Sequence, residues 1–172
     1  IEWVVRLFPH ETDFLFICRK EHLTNTNLKE ELVRIAPMGQ IVSLDTWEKR
    51  GPVNDVYRIS DLIEDDKPVI VNYCDFYMTW NWQDFKETVL DNQCEGAIPC
   101  YTGFHPHLIP DYNLYASCKV NEEKFLLEIR EKYSFETDKK KGFHSVGTYY
   151  FKRGDILKES FKWLMDTEQS LN

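Results

Sequence analysis

Apolar residues recur at helical spacing in the opening segment Ile1–Phe8, where Ile1, Val4, Val5 and Phe8 share one face. The pattern then tightens into Asp13–Cys18 (DFLFIC), a short apolar run that predicts a strand. Asn27–Ala36 returns to helical spacing through Leu28, Leu32, Val33 and Ile35, and Pro37 and Gly39 end it. Gln40–Leu44 (QIVSL) predicts a second strand. Pro52–Ile63 predicts a helix entered through Gly51 with Pro52 just inside its start. Pro68–Val71 predicts a third strand and Asn81–Leu90 a helix with Trp82, Phe85 and Val89 inward. Strands that alternate with helices imply βαβ units, a parallel sheet and right-handed crossovers. The second half is different. Gly96–Phe104, Asn113–Val120, Phe125–Arg130 and Gly142–Phe151 all predict strands, Val120–Lys124 a hairpin connection, and Gly154–Asp166 a closing helix with Ile156, Leu157, Phe161 and Leu164 inward. The class is α/β, with a mostly parallel sheet that becomes mixed and antiparallel in its second half.

A chain of 172 residues is expected to form one domain. Its net charge of −8 argues against a general nucleic-acid surface but leaves room for a nucleotide site, which needs only local positive charge or a metal. No apolar stretch approaches the ~20 residues of a membrane span. Glu2 and Arg6 inside the first apolar segment argue against a secretory signal. The five cysteines contain no C-x-x-C pair, and several lie in apolar runs, so they read as free thiols of a reducing compartment; a cytoplasmic setting is expected. The chain opens on Ile1 within a periodic segment and closes on Ser170-Leu171-Asn172, and both ends read as cuts in a longer polypeptide.

The segment Pro68–Asp75 (PVIVNYCD) carries the most chemistry. An apolar strand ends there and a lone carboxylate, Asp75, follows. Ligands of open α/β sheets lie beyond the carboxyl ends of the strands. Mg²⁺ is commonly held there by one or two carboxylates plus phosphate oxygens of the substrate. The structural alternative is that Asp75 caps the next turn.

With this layout, four anchors in order resemble the sugar-1-phosphate nucleotidylyltransferase family: Asp75 in VNYCD, Gly96-Ala97-Ile98, Glu131-Lys132 after the LLEIR strand, and Ser145–Phe151 (SVGTYYF). Thr46–Tyr57, with Gly51-Pro52, falls where that family has a loop and helix start near the nucleotide. The resemblance spans nearly the whole chain. It implies a three-layer αβα architecture of the nucleotide-diphospho-sugar transferase type, and transfer of a nucleoside monophosphate from an NTP to a phosphorylated small metabolite with release of pyrophosphate. The acceptor is expected to be a sugar phosphate, for surface polysaccharide assembly. In the family's pattern Asp75 holds Mg²⁺, Lys132 meets the acceptor phosphate and Glu131 binds an acceptor hydroxyl or amine. Gly51, Gly96, Gly147 and Tyr73 are the further substrate-binding candidates, and an oligomer is possible. Two family features fall outside the sequence: a glycine-rich phosphate loop would precede Ile1, and a second metal-binding aspartate would follow the final helix.

Each candidate has a structural reading too. Glu131-Lys132 also fits a charged turn, Gly96 and Gly147 fit edge or bulge glycines, and Gly51 fits a plain helix entry. Tyr73, Phe76, Tyr77, Trp80 and Trp82 could wall an acceptor site, although Trp82 and Phe85 fit core packing better. His105-Pro106-His107 invites a metal reading, which the intervening proline and the lack of a further ligand at the right spacing disfavour. A related glycosyltransferase would need a D-x-D pair, and Asp75-Phe76-Tyr77 lacks its second acid. A non-catalytic nucleotide- or sugar-binding domain is the remaining alternative.

Overall fold

The computed structural model describes residues 1–45 and 51–167. Its elements in chain order are α1 (Glu2–Val5), β1 (Leu15–Arg19), α2 (Lys20–Asn25), α3 (Leu28–Ile35), β2 (Gln40–Leu44), α4 (Pro52–Tyr57), β3 (Val69–Asn72), α5 (Trp82–Asp91), β4 (Gly96–Ala97), β5 (Cys100–Tyr101), β6 (Ser117–Val120), β7 (Leu126–Arg130), β8 (Phe143–Ser145), β9 (Thr148–Phe151) and α6 (Gly154–Asp166). They pack as two compact units whose segments interleave. The first comprises Ile1–Val69, Cys74–Gly96 and the chain from Phe151 onward; the second comprises Ile70–Tyr73 and Ala97–Tyr150.

In the first unit β1 and β2 pair in parallel, with Leu15 opposite Gln40 and Arg19 opposite Leu44. The crossover between them holds α2 and α3. Leu32 and Ala36 are buried while Val33, on the same helix, is 51% exposed. α6 packs against α4. It buries Leu157 and Phe161, each worth roughly 1.5–3 kcal/mol. α5 begins at Asn81, whose side chain accepts a hydrogen bond from the Asp84 N–H at 3.2 Å, a cap worth ~1 kcal/mol. Trp80, Trp82, Phe85 and Phe8 form one aromatic cluster with ring centroids 5.0–5.9 Å apart. The indole N–H of Trp80 donates to the Leu7 carbonyl and that of Trp82 to the Glu11 carboxylate. These two tryptophans therefore help hold the unit together.

The second unit carries an antiparallel sheet in the order β5-β8-β6-β7, and β3, β9 and β4 form a three-stranded sheet in the order β3-β9-β4. Its interior is unusually polar: His107, Asn113, Ser117, His144, Ser145 and Thr148 are buried beside Leu108, Ala116, Cys118, Val146 and Tyr150. All five cysteines are unbridged; Cys118 is buried and Cys74 exposed.

The α/β class stands, and the antiparallel second half is as the pattern implied. Among the described residues, β1 and β2 pair with each other in parallel, and β3 pairs with β9. Two long predicted strands are each broken in two. Gly96–Phe104 gives β4 and β5 around Ile98-Pro99, because proline has no N–H for a ladder. Gly142–Phe151 gives β8 and β9 around Gly147, whose φ of +77° leaves the extended region.

Candidate functional site

Among the predicted residues, the structure brings Tyr73 and Gly147 into direct contact. The Tyr73 N–H donates to the Gly147 carbonyl at 3.1 Å. The Tyr73 ring lies over the bare Cα so closely that a Cβ there would overlap its Cδ2, and would stand 3.1 Å from Cε2. The space over Gly147 is thus filled by a tyrosine of the same chain. Ser145 Oγ accepts the Gly147 N–H at 3.2 Å and donates to the Tyr149 hydroxyl at 3.4 Å. Asn72 and Thr148 join β3 to β9 through a side-chain hydrogen bond. Burial raises the Tyr149 phenol, the Ser145 hydrogen bond opposes that, and the negative charge of Glu131 adds to the rise. Tyr73, Ser145, Gly147 and Tyr149 therefore form one neighbourhood in the second unit. Ser145 and Tyr149 lie within the SVGTYYF segment, where nothing in the local pattern distinguishes them from strand residues.

A Gly147→Ala variant combines left-handed backbone strain of roughly 1–2 kcal/mol with displacement of the Tyr73 ring. Urea unfolding should show a loss of about 1–3 kcal/mol, and the penalty should shrink when Gly147→Ala is made in a Tyr73→Ala background. Equal penalties in both backgrounds would show that the ring is not what the glycine accommodates.

The remaining candidates are dispersed. Glu131 and Lys132 are exposed on the turn after β7, where Lys132 has φ +52°. Asp75 is exposed on the turn that follows β3, in the first unit. Gly96 is exposed in β4, and nothing in its backbone requires glycine. Gly51 has φ +88° and precedes Pro52 at the start of α4, so its freedom is used to enter that helix. Of the predicted loop before α4, Thr46–Arg50 lie outside the described residues. Two cavities, of about 370 and 420 Å³, are lined by other residues: one by the Phe104–Asp111 and Thr137–Lys140 loops, the other by Arg19–Glu21, Thr24, Asn25, Leu44 and Asp45. The described residues contain no group of three or more His, Cys, Asp and Glu side chains able to hold a metal ion.

The H-x-H pair belongs to a hydrogen-bonded network. His105 Nδ1 accepts the His107 backbone N–H at 3.5 Å, which caps the short turn Pro106–Leu108. An accepting His105 Nδ1 obliges His107 Nδ1, which contacts it, to carry the proton. His107 Nε2 is then an acceptor, and the Tyr101 hydroxyl donates to it. His144 Nε2–H donates to the Lys139 carbonyl at 2.7 Å and its Nδ1 faces the Asn113 amide at 3.4 Å. Asn113 also donates to the Tyr133 carbonyl at 2.6 Å, while its buried Oδ1 has no partner among the described residues. Burial, then the charges His105 and His144 would carry, hold His107 down to about 4.

A histidine depressed in the folded state favours folding fully above its unfolded value near 6.5, and loses that contribution as pH falls toward 4. His107 is 8% exposed, so the loss should reach about 2 kcal/mol by pH 5. Urea unfolding at pH 7 and pH 5 should show this drop in the parent and a smaller one in His107→Gln.

No protein-family model matches the chain, and no curated protein matches it. Solved structures do. HddC from Yersinia pseudotuberculosis is 17% identical, with a TM-score of 0.64 over 92% of this chain and 62% of its own. A candidate glucose-1-phosphate thymidylyltransferase from Bacillus anthracis, solved with sucrose, is 13% identical, with a TM-score of 0.63 over 91% of this chain and 56% of its own. A UDP-glucose pyrophosphorylase complexed with UDP-glucose is 13% identical, with a TM-score of 0.67 over 99% of this chain and 69% of its own. The chain has the nucleotide-diphospho-sugar transferase fold. It spans less than two thirds of the length of the first two neighbours. Among the described residues, no helix is long and apolar enough to cross a membrane.

Proposed function

We propose that the protein is a nucleotidylyltransferase that moves a nucleoside monophosphate from an NTP to a phosphorylated small metabolite, a sugar phosphate, and releases pyrophosphate. The observation that carries this reading is the fold shared with nucleotidyltransferases together with the neighbourhood of Tyr73, Gly147 and Tyr149 in the second unit. An acceptor phosphate oxygen attacks the α-phosphorus, and the chemistry needs positioning and charge neutralisation more than a covalent nucleophile.

Glu131 accepts hydrogen bonds from acceptor hydroxyls, and Lys132 pairs with the acceptor phosphate. Both are exposed, as groups that must meet a solute have to be. Tyr73 and Tyr149 supply aromatic surface and phenol hydroxyls for a sugar ring. Asp75 suits Mg²⁺, because that ion takes one carboxylate and completes its shell with water and substrate phosphate. When bound, Mg²⁺ neutralises charge on the phosphate oxygens.

The test is pyrophosphate release by the full-length protein with each NTP, Mg²⁺ and a panel of sugar phosphates. Release that requires both an NTP and a sugar phosphate supports the reading. Nucleotide binding by calorimetry without turnover of any pair would replace it with the non-catalytic binding domain.

A further inference from the structure

β7 is the outermost strand of its four-stranded sheet among the described residues, and such an edge offers an unpaired row of N–H and C=O groups. Proteins usually shield such an edge with prolines, charges or a covering segment. Here it is flanked by apolar side chains: Phe125 is 58% exposed, Leu126 47%, Leu127 61% and Ile129 40%. The pairing with β6 is regular from Ser117 opposite Arg130 to Lys119 opposite Glu128, and slips beyond that point, toward the hairpin end. The straight part of the edge is therefore Glu128-Ile129-Arg130.

That tripeptide is complementary to itself. When two antiparallel copies are related by a two-fold axis at Ile129, each Ile129 meets its own image, and Glu128 of each copy faces Arg130 of the other. Moving the axis one residue either way sets Glu128 against Glu128 or Arg130 against Arg130. Glu128 and Arg130 already pair along one face of the strand, which orders both before association. An isologous contact requires this kind of self-match, and an unrelated partner would not.

We propose that two copies of this chain associate edge to edge through β7, so that their sheets run on across the two-fold axis. The inference does not depend on the nucleotidylyltransferase reading, and the variants below leave Glu131 and Lys132 in place.

Sedimentation velocity from micromolar to sub-millimolar protein should show a species of twice the monomer mass at the upper end. Glu128→Arg or Arg130→Glu alone sets two like-charge pairs across the axis, and each should weaken association roughly tenfold or more. The double variant Glu128→Arg/Arg130→Glu restores both opposite pairs and should recover most of the loss. Ile129→Lys should be monomeric with unchanged circular dichroism. A parent that stays monomeric throughout overturns the proposal. So does a dimer indifferent to both single charge reversals, or one the double variant fails to rescue.

Discussion

Asp75→Ala in the full-length protein is expected to lower pyrophosphate release by about 10²–10³-fold at saturating nucleotide and Mg²⁺. A bound divalent ion stabilises transferring phosphate charge by several kcal/mol, and each 1.36 kcal/mol is tenfold in rate. The side chain is exposed on a turn after β3, so the substitution should move folding stability by less than about 0.5 kcal/mol. Loss of rate with an unchanged melting temperature therefore separates a chemical role from a structural one. Asp75→Asn, which keeps the shape and removes the charge, should be as slow as the alanine variant. Full activity in either would remove Asp75 from the site while leaving the fold untouched.

A second large effect is expected from Gly154→Ala, this time on stability. Gly154 opens α6 and is buried against the loop before β3. A Cβ there would overlap the Glu64 carbonyl oxygen, and would stand 2.9 Å from Ile63 Cγ2 and 3.0 Å from the Glu64 carbonyl carbon. The nearest atom is backbone, so no rotamer change relieves it. The same loop is tied to α6 by the Asp155 N–H, which donates to the Asp65 carbonyl at 3.1 Å, and by the Lys158 ammonium on the Asp65 carboxylate at 2.6 Å. Relief must come from moving α6, which displaces buried Leu157 and Phe161. Overpacking of this kind costs about 1–3 kcal/mol or more, and should lower Tm by roughly 4–10 °C. A melting curve that superposes on the parent's would show that α6 can shift freely against this loop.

Sequence periodicity located these elements well where one face of a helix or strand is apolar. α6 matches its expected span, Gly154–Asp166, and β2 matches Gln40–Leu44. α2 was missed because Lys20–Asn25 has one apolar residue, Leu23, and no face for a pattern to reveal. The breaks at Pro99 and Gly147 are written as proline and glycine, but both residues also occur at strand edges without interrupting a strand. The pairing of β3 with β9 joins residues more than seventy positions apart, and no local pattern encodes it.

The candidate site was legible as residues but not as neighbours. Tyr73 and Gly147 were each selected for a ligand, and their contact with one another follows from that long-range pairing. The histidine pair was visible as H-x-H. Its partners Tyr101, His144 and Asn113 come from β5, β8 and a loop, so only the folded chain shows that the pair belongs to a polar interior. The aromatic cluster after Asp75 illustrates the converse. Composition allowed a binding wall or core packing, and the indole hydrogen bonds tie Trp80 and Trp82 into the packing of the first unit.

The interleaving of the two units limits how the protein can be dissected. Ile70–Tyr73 belongs with Ala97–Tyr150, although Cys74–Gly96 lies between them in the chain. A fragment expressed from Ala97 to Tyr150 would lack β3, leaving β9 stripped of a neighbour along one flank and Tyr73 gone from above Gly147. Excision by simple truncation should give an insoluble or molten product. A circularly permuted gene that fuses the Ile70–Tyr73 strand back onto the excised piece is the better route to studying that unit in isolation.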